Sequence, residues 1–286
     1  MVINMNWVLL AVTVIGVSMQ TVMQKLYNKK IGAREAFVFT GIQSAAAALF
    51  FLPFCRIFIL PSHLFPYIIG FAAAFSAALI FSVKALACGS IALTSLAASY
   101  SLMLPTFYGL VFLNEASGIL LYAGIALLAI SIVFINLNKN DVKISPEWVL
   151  YVILALIGNG MCSTVQKMQQ IAFEGKYTNE FMFFALVTVV AVAAASVLLQ
   201  ERGQALYFMK LGWKCAAIGG IMNGMANMLV MLLNGRINAS VMFPCISAGS
   251  IALNCIIARV FWKEKLSNMQ TIGVMLGMAS VVLINI

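Results

Sequence analysis

Charge is what this chain has least of. Only 9% of its 286 residues are charged, eight of them are acidic, and His63 is the single histidine. A soluble domain of this size carries about 25% charged residues. With 63% hydrophobic residues and a mean hydropathy of +1.04, a water-soluble fold has nowhere to hide its apolar surface. Lipid must therefore be most of this chain's solvent. A lone histidine between apolar segments supplies neither a nucleophile–base pair nor a metal cluster, which argues against an intramembrane enzyme. No glycine-rich loop ending in Lys-Ser or Lys-Thr is present, so ATP hydrolysis by the chain is not expected. The six cysteines, Cys55, Cys88, Cys162, Cys215, Cys245 and Cys255, show no metal-ligand spacing and read as small apolar packing residues. No cofactor is implied.

Long apolar runs are what the chain has instead. A helix needs roughly 20 apolar residues to cross the hydrocarbon core. Such segments run near 6–26, 36–56, 65–87, 91–112, 117–137, 147–168, 180–199, 211–233, 239–260 and 268–286. None shows the strict alternation of a transmembrane β-strand. The expected fold class is all-α: a polytopic membrane protein of about ten transmembrane helices. The first segment lacks a basic leader and a small-residue cleavage site, so it reads as a retained helix and not a signal peptide. Trp7, Trp148, Trp213 and Trp262 all fall at segment ends, as an interfacial aromatic belt requires.

The net charge of +9 comes from Lys and Arg in short loops, which reflects membrane topology and not nucleic-acid binding. Lys29, Lys30, Arg34, Lys139, Lys143, Arg202, Lys210, Lys214, Arg259, Lys263 and Lys265 fall on one side of the membrane. Arg56, Lys176 and Arg236 fall on the other. By the positive-inside rule this bias puts the odd-numbered loops in the cytoplasm and both termini outside, in a multi-pass protein of the cell membrane.

The chain also resembles itself. Gly124, Leu127, Ser131, Val133, Ile135 and Asn136 recur at one constant offset as Gly273, Leu276, Ser280, Val282, Ile284 and Asn285, and Glu115 matches Glu264 at the same offset. Gly89 and Ile91 match Gly235 and Ile237, and Gly16, Gln24 and Lys25 match Gly158, Gln166 and Lys167. The second and seventh segments align poorly. The repeat divides the chain into residues 1–138 and 139–286, with about five helices each. Five is odd, so the second half enters the membrane from the opposite side, and the two are related by a pseudo-twofold axis in the membrane plane. Inverted repeats of this kind place a binding site between the halves.

Two five-helix halves, each with a glutamate ahead of a Gly- and Ser-containing last helix, resemble the EamA-like drug/metabolite transporters. Pro105 followed by Asn114-Glu115 resembles that family's proline and glutamate turn, and the run from Phe261 to Ser267 looks like its second-half counterpart. The same run is similar to a stretch of the small multidrug resistance proteins. Pro244 near the start of the ninth segment departs from the pattern. The resemblance implies a central cavity lined by the first, third, fourth, sixth, eighth and ninth spans, and alternating access without ATP.

Polar residues inside spans face a neighbouring helix or a water-filled cavity. Asn223, Asn227 and Asn234 share one face of the eighth span at about 100° per residue. Asn159, Ser163, Gln166 and Gln170 form a stripe on the sixth; Thr21, Gln24 and Asn28, with Gln20 a turn away, form its counterpart on the first. Ser247, Ser250 and Asn254 share a face of the ninth. These stripes read either as hydrogen bonds that hold helices together or as the lining of a cavity for a polar substrate. Lys25, Lys167 and Lys84 read either as snorkelling lysines or as lysines at a cavity mouth, and Lys84, if it faces the cavity, could attract a carboxylate or phosphate. The cavity candidates are Gln20, Gln24, Lys84, Asn159, Ser163, Gln166, Asn223, Asn227, Ser250 and Asn254.

The acids Glu35, Glu115, Asp141, Glu147, Glu174, Glu180, Glu201 and Glu264 all fall in loops or at span ends. Glu115 and Glu264 stand next to Ser117 and Ser267 at helix starts, where the helix dipole favours a carboxylate. A proton-coupled cation antiporter needs a mid-membrane carboxylate, and none is present. The partners expected are therefore a small polar metabolite, neutral or anionic, and the lipid bilayer. The alternative is a multidrug or quaternary-cation exporter using aromatics such as Tyr100, Phe107 and Tyr108. Oligomeric state stays open, since ten helices suffice for a monomeric pathway.

Overall fold

The computed structural model describes residues 5–31, 35–88, 101, 103–113, 118–136, 145–200, 205–261 and 268–284. Among them are ten α-helices and no strand. The helices are α1 (Met5–Ile31), α2 (Ala36–Phe51), α3 (Phe65–Cys88), α4 (Met103–Phe112), α5 (Ile119–Asn136), α6 (Pro146–Ala172), α7 (Thr178–Gln200), α8 (Ala205–Asn234), α9 (Ala239–Phe261) and α10 (Asn268–Ile284). Six are long and apolar enough to cross a membrane, within Met5–Ile31, Ala36–Phe54, Ser62–Ala85, Pro146–Ala172, Thr178–Leu199 and Ala205–Asn234. The chain is a multi-pass α-helical membrane protein. Its outer surface agrees: Ile119, Leu199 and Phe261 are at least three-quarters exposed, as side chains against lipid are.

Helix ends follow local chemistry. Ser145 caps α6, its Oγ accepting from Trp148 N at 3.1 Å, with Pro146 in the first turn where its missing N–H costs nothing. α1 runs a turn past its apolar stretch because Lys29 and Lys30 favour the negative end of the helix dipole. α8 starts earlier than hydropathy alone predicts, with Tyr207, Lys210 and Trp213 in an amphipathic first part. α6 and α7 are joined by a tight turn with positive φ at Glu174, Gly175 and Tyr177, and Gly175 N donates to Gln170 O at 3.0 Å. Glu180, at the start of α7, is buried. Its Oε1 accepts from Arg56 N at 2.8 Å and Ile57 N at 3.2 Å, pinning the segment between α2 and α3. His63 in that segment stacks on Phe173, with ring centroids 5.0 Å apart.

α1 packs on α8 and α9, and α6 packs on α3 and α4. α2 packs on α8 and α7 packs on α3, while α2 with α7, α4 with α9, and α5 with α10 complete the framework. Exchanging each helix for the one five places along maps these pairs onto one another. α9 also packs on α10 and α5, contacts without a comparable counterpart among the described residues of α4.

Small residues allow the close approaches. Gly16 of α1 lies against Ala226 and the Met222 carbonyl of α8. Gly158 of α6 lies against Ala78 and the Ala74 carbonyl of α3. Ser131 Oγ of α5 donates to the Gly273 carbonyl of α10, and Ser131 and Ser280 are both fully buried. One apolar core joins Phe51 of α2, Phe71 of α3, Val165 of α6 and Phe181 of α7; another joins Val14 of α1, Leu233 of α8 and Phe243 of α9.

Candidate functional site: a polar cavity between the helices

A cavity of about 220 Å³ lies between α1, α3, α6, α8 and α9, with Ser101 ahead of α4 also on its wall. On α1 it is lined by Val17, Gln20, Thr21 and Gln24, and on α6 by Asn159, Cys162, Ser163 and Gln166. These two quartets stand in the register that pairs Gly16 with Gly158. On α3 the wall is Phe75, Leu79 and Ser82, and on α8 it includes Asn223, Asn227 and Val230. These trios stand in the register that pairs Ala74 with Met222 and Ala78 with Ala226. α9 contributes Phe243, Ile246, Ser250 and Asn254.

The two sides are unequal in chemistry. Gln166 Nε2 donates to Asn227 Oδ1 at 2.6 Å and lies 3.6 Å from Met182 Sδ. Asn227 Nδ2 in turn donates to the Asn223 carbonyl at 2.9 Å, and Asn223 Nδ2 donates to Gln20 Oε1 at 3.1 Å. Gln24 stands where Gln166 does in the other quartet, but the position corresponding to Asn227 is Leu79. Gln24 Nε2 accordingly has no hydrogen-bond partner among the described residues, and neither have Asn223 Oδ1 and Asn254 Oδ1, although all three atoms are out of contact with solvent. A buried amide atom without a partner costs about 1–3 kcal/mol, and Asn28, Gln43 and Asn234, away from the cavity, carry such atoms too.

Nine of the ten cavity candidates line this one space. Lys84 does not. It lies two residues beyond Ser82, about 200° around α3 at 100° per residue, so it points away. Its Nζ lies 5.8 Å from the Phe37 ring centroid and 5.9 Å from those of Phe81 and Tyr151. The condition under which Lys84 attracts a carboxylate or phosphate, that it faces the cavity, is not met by the described lining.

The stripes also divide. Gln170 belongs to the α6–α7 turn, donating to Thr178 Oγ1 at 2.8 Å and Gln169 Oε1 at 3.0 Å. Asn234, Asn28 and Ser247 are buried away from the cavity. Lys167 does not snorkel: it is buried, and its Nζ donates to the Asn234 carbonyl at 3.0 Å and to that of Ile237 at 3.5 Å. A cation there meets the negative end of the α8 dipole.

Phe107 is 60% exposed and Tyr108 stacks on Phe112, so the cavity's described aromatic walls are Phe75 and Phe243 instead. Tyr100, Glu115, Ser117, Glu264 and Ser267 lie outside the described residues.

The resemblance implies a wall from the third span, but polar stripes do not name its residues because Phe75 and Leu79 are apolar. The signal that finds it is the register itself, since Phe75 and Leu79 correspond to Asn223 and Asn227.

No family model and no curated protein matches this chain. Among solved structures, one described only as the crystal structure of a protein is similar over 97% of this chain and 98% of its own. The TM-score is 0.73 and the sequence identity 15%. At that identity the likeness is one of fold alone.

Proposed function

We propose that the chain is a secondary transporter. It moves a small polar metabolite, amino acid-like and neutral or anionic, across the cell membrane by alternating access without ATP. In this reading the ten helices are ten spans, arranged as two inverted EamA-like halves at 1–138 and 139–286, with both termini outside. The observation that carries it is the cavity. Corresponding faces of α1 and α6, and of α3 and α8, meet around one space lined by both amide and apolar side chains. The exchange of helix pairs described above supports the repeat. Two similar halves that repack in two ways supply outward- and inward-facing states of comparable energy around one site.

A second reading, an exporter of lipophilic or quaternary cations, is favoured by the Phe75 and Phe243 rings on the cavity wall. No acidic side chain is among the described lining residues, and the polar groups there are amides and hydroxyls, which suit an uncharged or zwitterionic guest.

Thermal stability of the purified protein in detergent, screened against amino acids, sugars, nucleotides, choline-like cations and lipophilic drugs, tests the two readings. A ligand that binds only the folded state raises Tm by mass action. Stabilisation by one polar metabolite class, lost in Asn227→Ala or Gln166→Ala, is the expected result. Stabilisation by lipophilic cations alone sinks the metabolite reading and promotes the exporter.

A further inference from the structure

The contact between α6 and α8 beside the cavity has no comparable counterpart. Five places along, α1 and α3 are the corresponding pair, and among the described residues they do not pack on one another to a similar extent. Three neighbouring side chains of α6 make the join. Gln166 Nε2 donates to Asn227 Oδ1 at 2.6 Å. Lys167, which is buried, donates through Nζ to the carbonyls of Asn234 at 3.0 Å and Ile237 at 3.5 Å. Gln170 Oε1 stands 3.8 Å from the Cβ position of Gly235, so the turn from α8 into α9 lies close against the end of α6. We propose that Lys167 latches a gate at this end of the cavity, that Lys25 latches a second gate at the opposite end, and that the two engage in turn. This inference rests on the cavity being a transport site.

Three observations argue for paired latches. First, Lys167 grips a helix end: its acceptors are the last residue of α8 and a residue of the following turn. An ammonium on main-chain carbonyls at the negative end of a helix dipole makes charge-assisted bonds. Breaking them in a dry interior strands the charge, so the ammonium is either fully engaged or moved out to water, which makes the arrangement two-state. Second, the sequence repeats the parts of this latch. Gln24 and Lys25 match Gln166 and Lys167, and Gly89 and Ile91, which lie outside the described residues, match Gly235 and Ile237. In an inverted repeat the second set falls at the other end of the cavity. Lys25 accordingly leads into Lys29 and Lys30, on the side opposite Lys176 and Arg236. Third, the sets are unequal in strength. Leu79 of α3 stands where α8 has Asn227 and offers Gln24 no hydrogen bond, so the second gate has the lysine latch alone. The described conformation, joined at the Lys167 end, is therefore the favoured one. With both termini outside, that end is the outer one, and the conformation is closed to the outside.

The test is hydrogen–deuterium exchange, read by mass spectrometry, on the full-length protein in lipid nanodiscs without ligand. Lys167→Met removes the donors and keeps the length of the side chain. Exchange is expected to rise about tenfold in peptides covering residues 169–178 and 230–241. It is expected to fall by a similar factor in peptides covering residues 22–31 and 81–88, as the opposite gate closes. Lys167→Arg, which keeps donors, should restore the wild-type pattern. Leu79→Asn leaves Lys167 in place and gives Gln24 an amide to meet, so it should shift both ends in the same directions as Lys167→Met. Lys25→Met should leave exchange at the Lys167 end at or below the wild-type level. A rise at the Lys167 end alone is local loosening around a structural lysine and overturns the gate. Opening of that end in Lys25→Met overturns it as well, and so does an unchanged pattern in Leu79→Asn, which decides the matter even if Lys167→Met fails to fold. Because no ligand enters, the transport reading is tested apart. Reciprocal exchange without counterflow of any stabilising compound sinks that reading and leaves the latches standing, and counterflow without reciprocal exchange does the reverse.

Discussion

Gln166 and Asn227 form a 2.6 Å side-chain hydrogen bond that ties α6 to α8 on the wall of the cavity. Gln166 is 2% exposed, so the bond has little competition from water, and removing one partner leaves the other buried and unpaired. Asn227→Leu is expected to cost about 1–3 kcal/mol, read as a lowered Tm. The double change Gln166→Leu with Asn227→Leu is expected to cost less than the sum of the singles, since no amide is left stranded. Additive losses in a melting series of the four proteins would show that the pair is not coupled.

The glycine contacts give a second expectation. A Cβ on Gly158 would sit 2.7 Å from Ala78 N and 2.8 Å from Ala74 O, both main-chain atoms that move only with α3. A Cβ on Gly16 would meet Ala226 Cβ and Met225 Cε at 3.2 Å, and a methionine tip can yield. Gly158→Ala should therefore destabilise by about 1–3 kcal/mol through overpacking, and Gly16→Ala by less. Gly118, with nothing among the described residues within 4 Å of its Cβ position, is the control expected to be neutral. A Tm ranking in which Gly16→Ala is the more damaging contradicts the packing described.

Lys84 separates a structural from a binding role. With its Nζ near Phe37, Phe81 and Tyr151, Lys84→Met should remove cation–π contacts worth about 0.5–2 kcal/mol. Ligand affinity should stay within twofold of wild type. A tenfold loss of affinity at unchanged Tm would return Lys84 to the site.

Burial, with the Glu180 charge second, pushes the Cys55 thiol in the segment between α2 and α3 up from 9.0 to about 11. Below pH 9 the thiol is protonated whether the chain is folded or not, and contributes no pH dependence. From pH 9 to 11 the unfolded chain releases this proton while the folded one keeps it, so the folded state loses stability as pH rises through that window. The Tm of the wild type should thus fall more steeply between pH 9 and 11 than that of Cys55→Ala. Because the thiolate is the nucleophile, maleimide labelling of Cys55 at pH 7.5 should be slow. Parallel Tm profiles would show that Cys55 does not feel its surroundings in this way.

What the sequence made legible, and what it did not, follows from the kind of signal each feature leaves. Helices of 20 or more residues were visible because lipid demands an unbroken apolar run. The polar faces of α1, α6, α8 and α9 were visible because Gln and Asn stand out against such a background. The α3 wall was invisible to that criterion, since Phe75 and Leu79 look like any core residue. The role of Lys167 was hidden because its acceptors, the carbonyls of Asn234 and Ile237, are main-chain atoms present at every position. The place of Lys84 depends on its angle around α3, where it stands opposite the face that carries Phe75, Leu79 and Ser82.

Solute counterflow tests the transport account most directly. Proteoliposomes containing the full-length protein and preloaded with the compound that stabilises it are diluted into a trace of the labelled compound, with no ATP and no ion gradient. The account predicts transient accumulation of label above equilibrium, abolished in Gln24→Ala and Asn223→Ala. Label entering no faster than into protein-free liposomes, or accumulation unchanged by both substitutions, would contradict it.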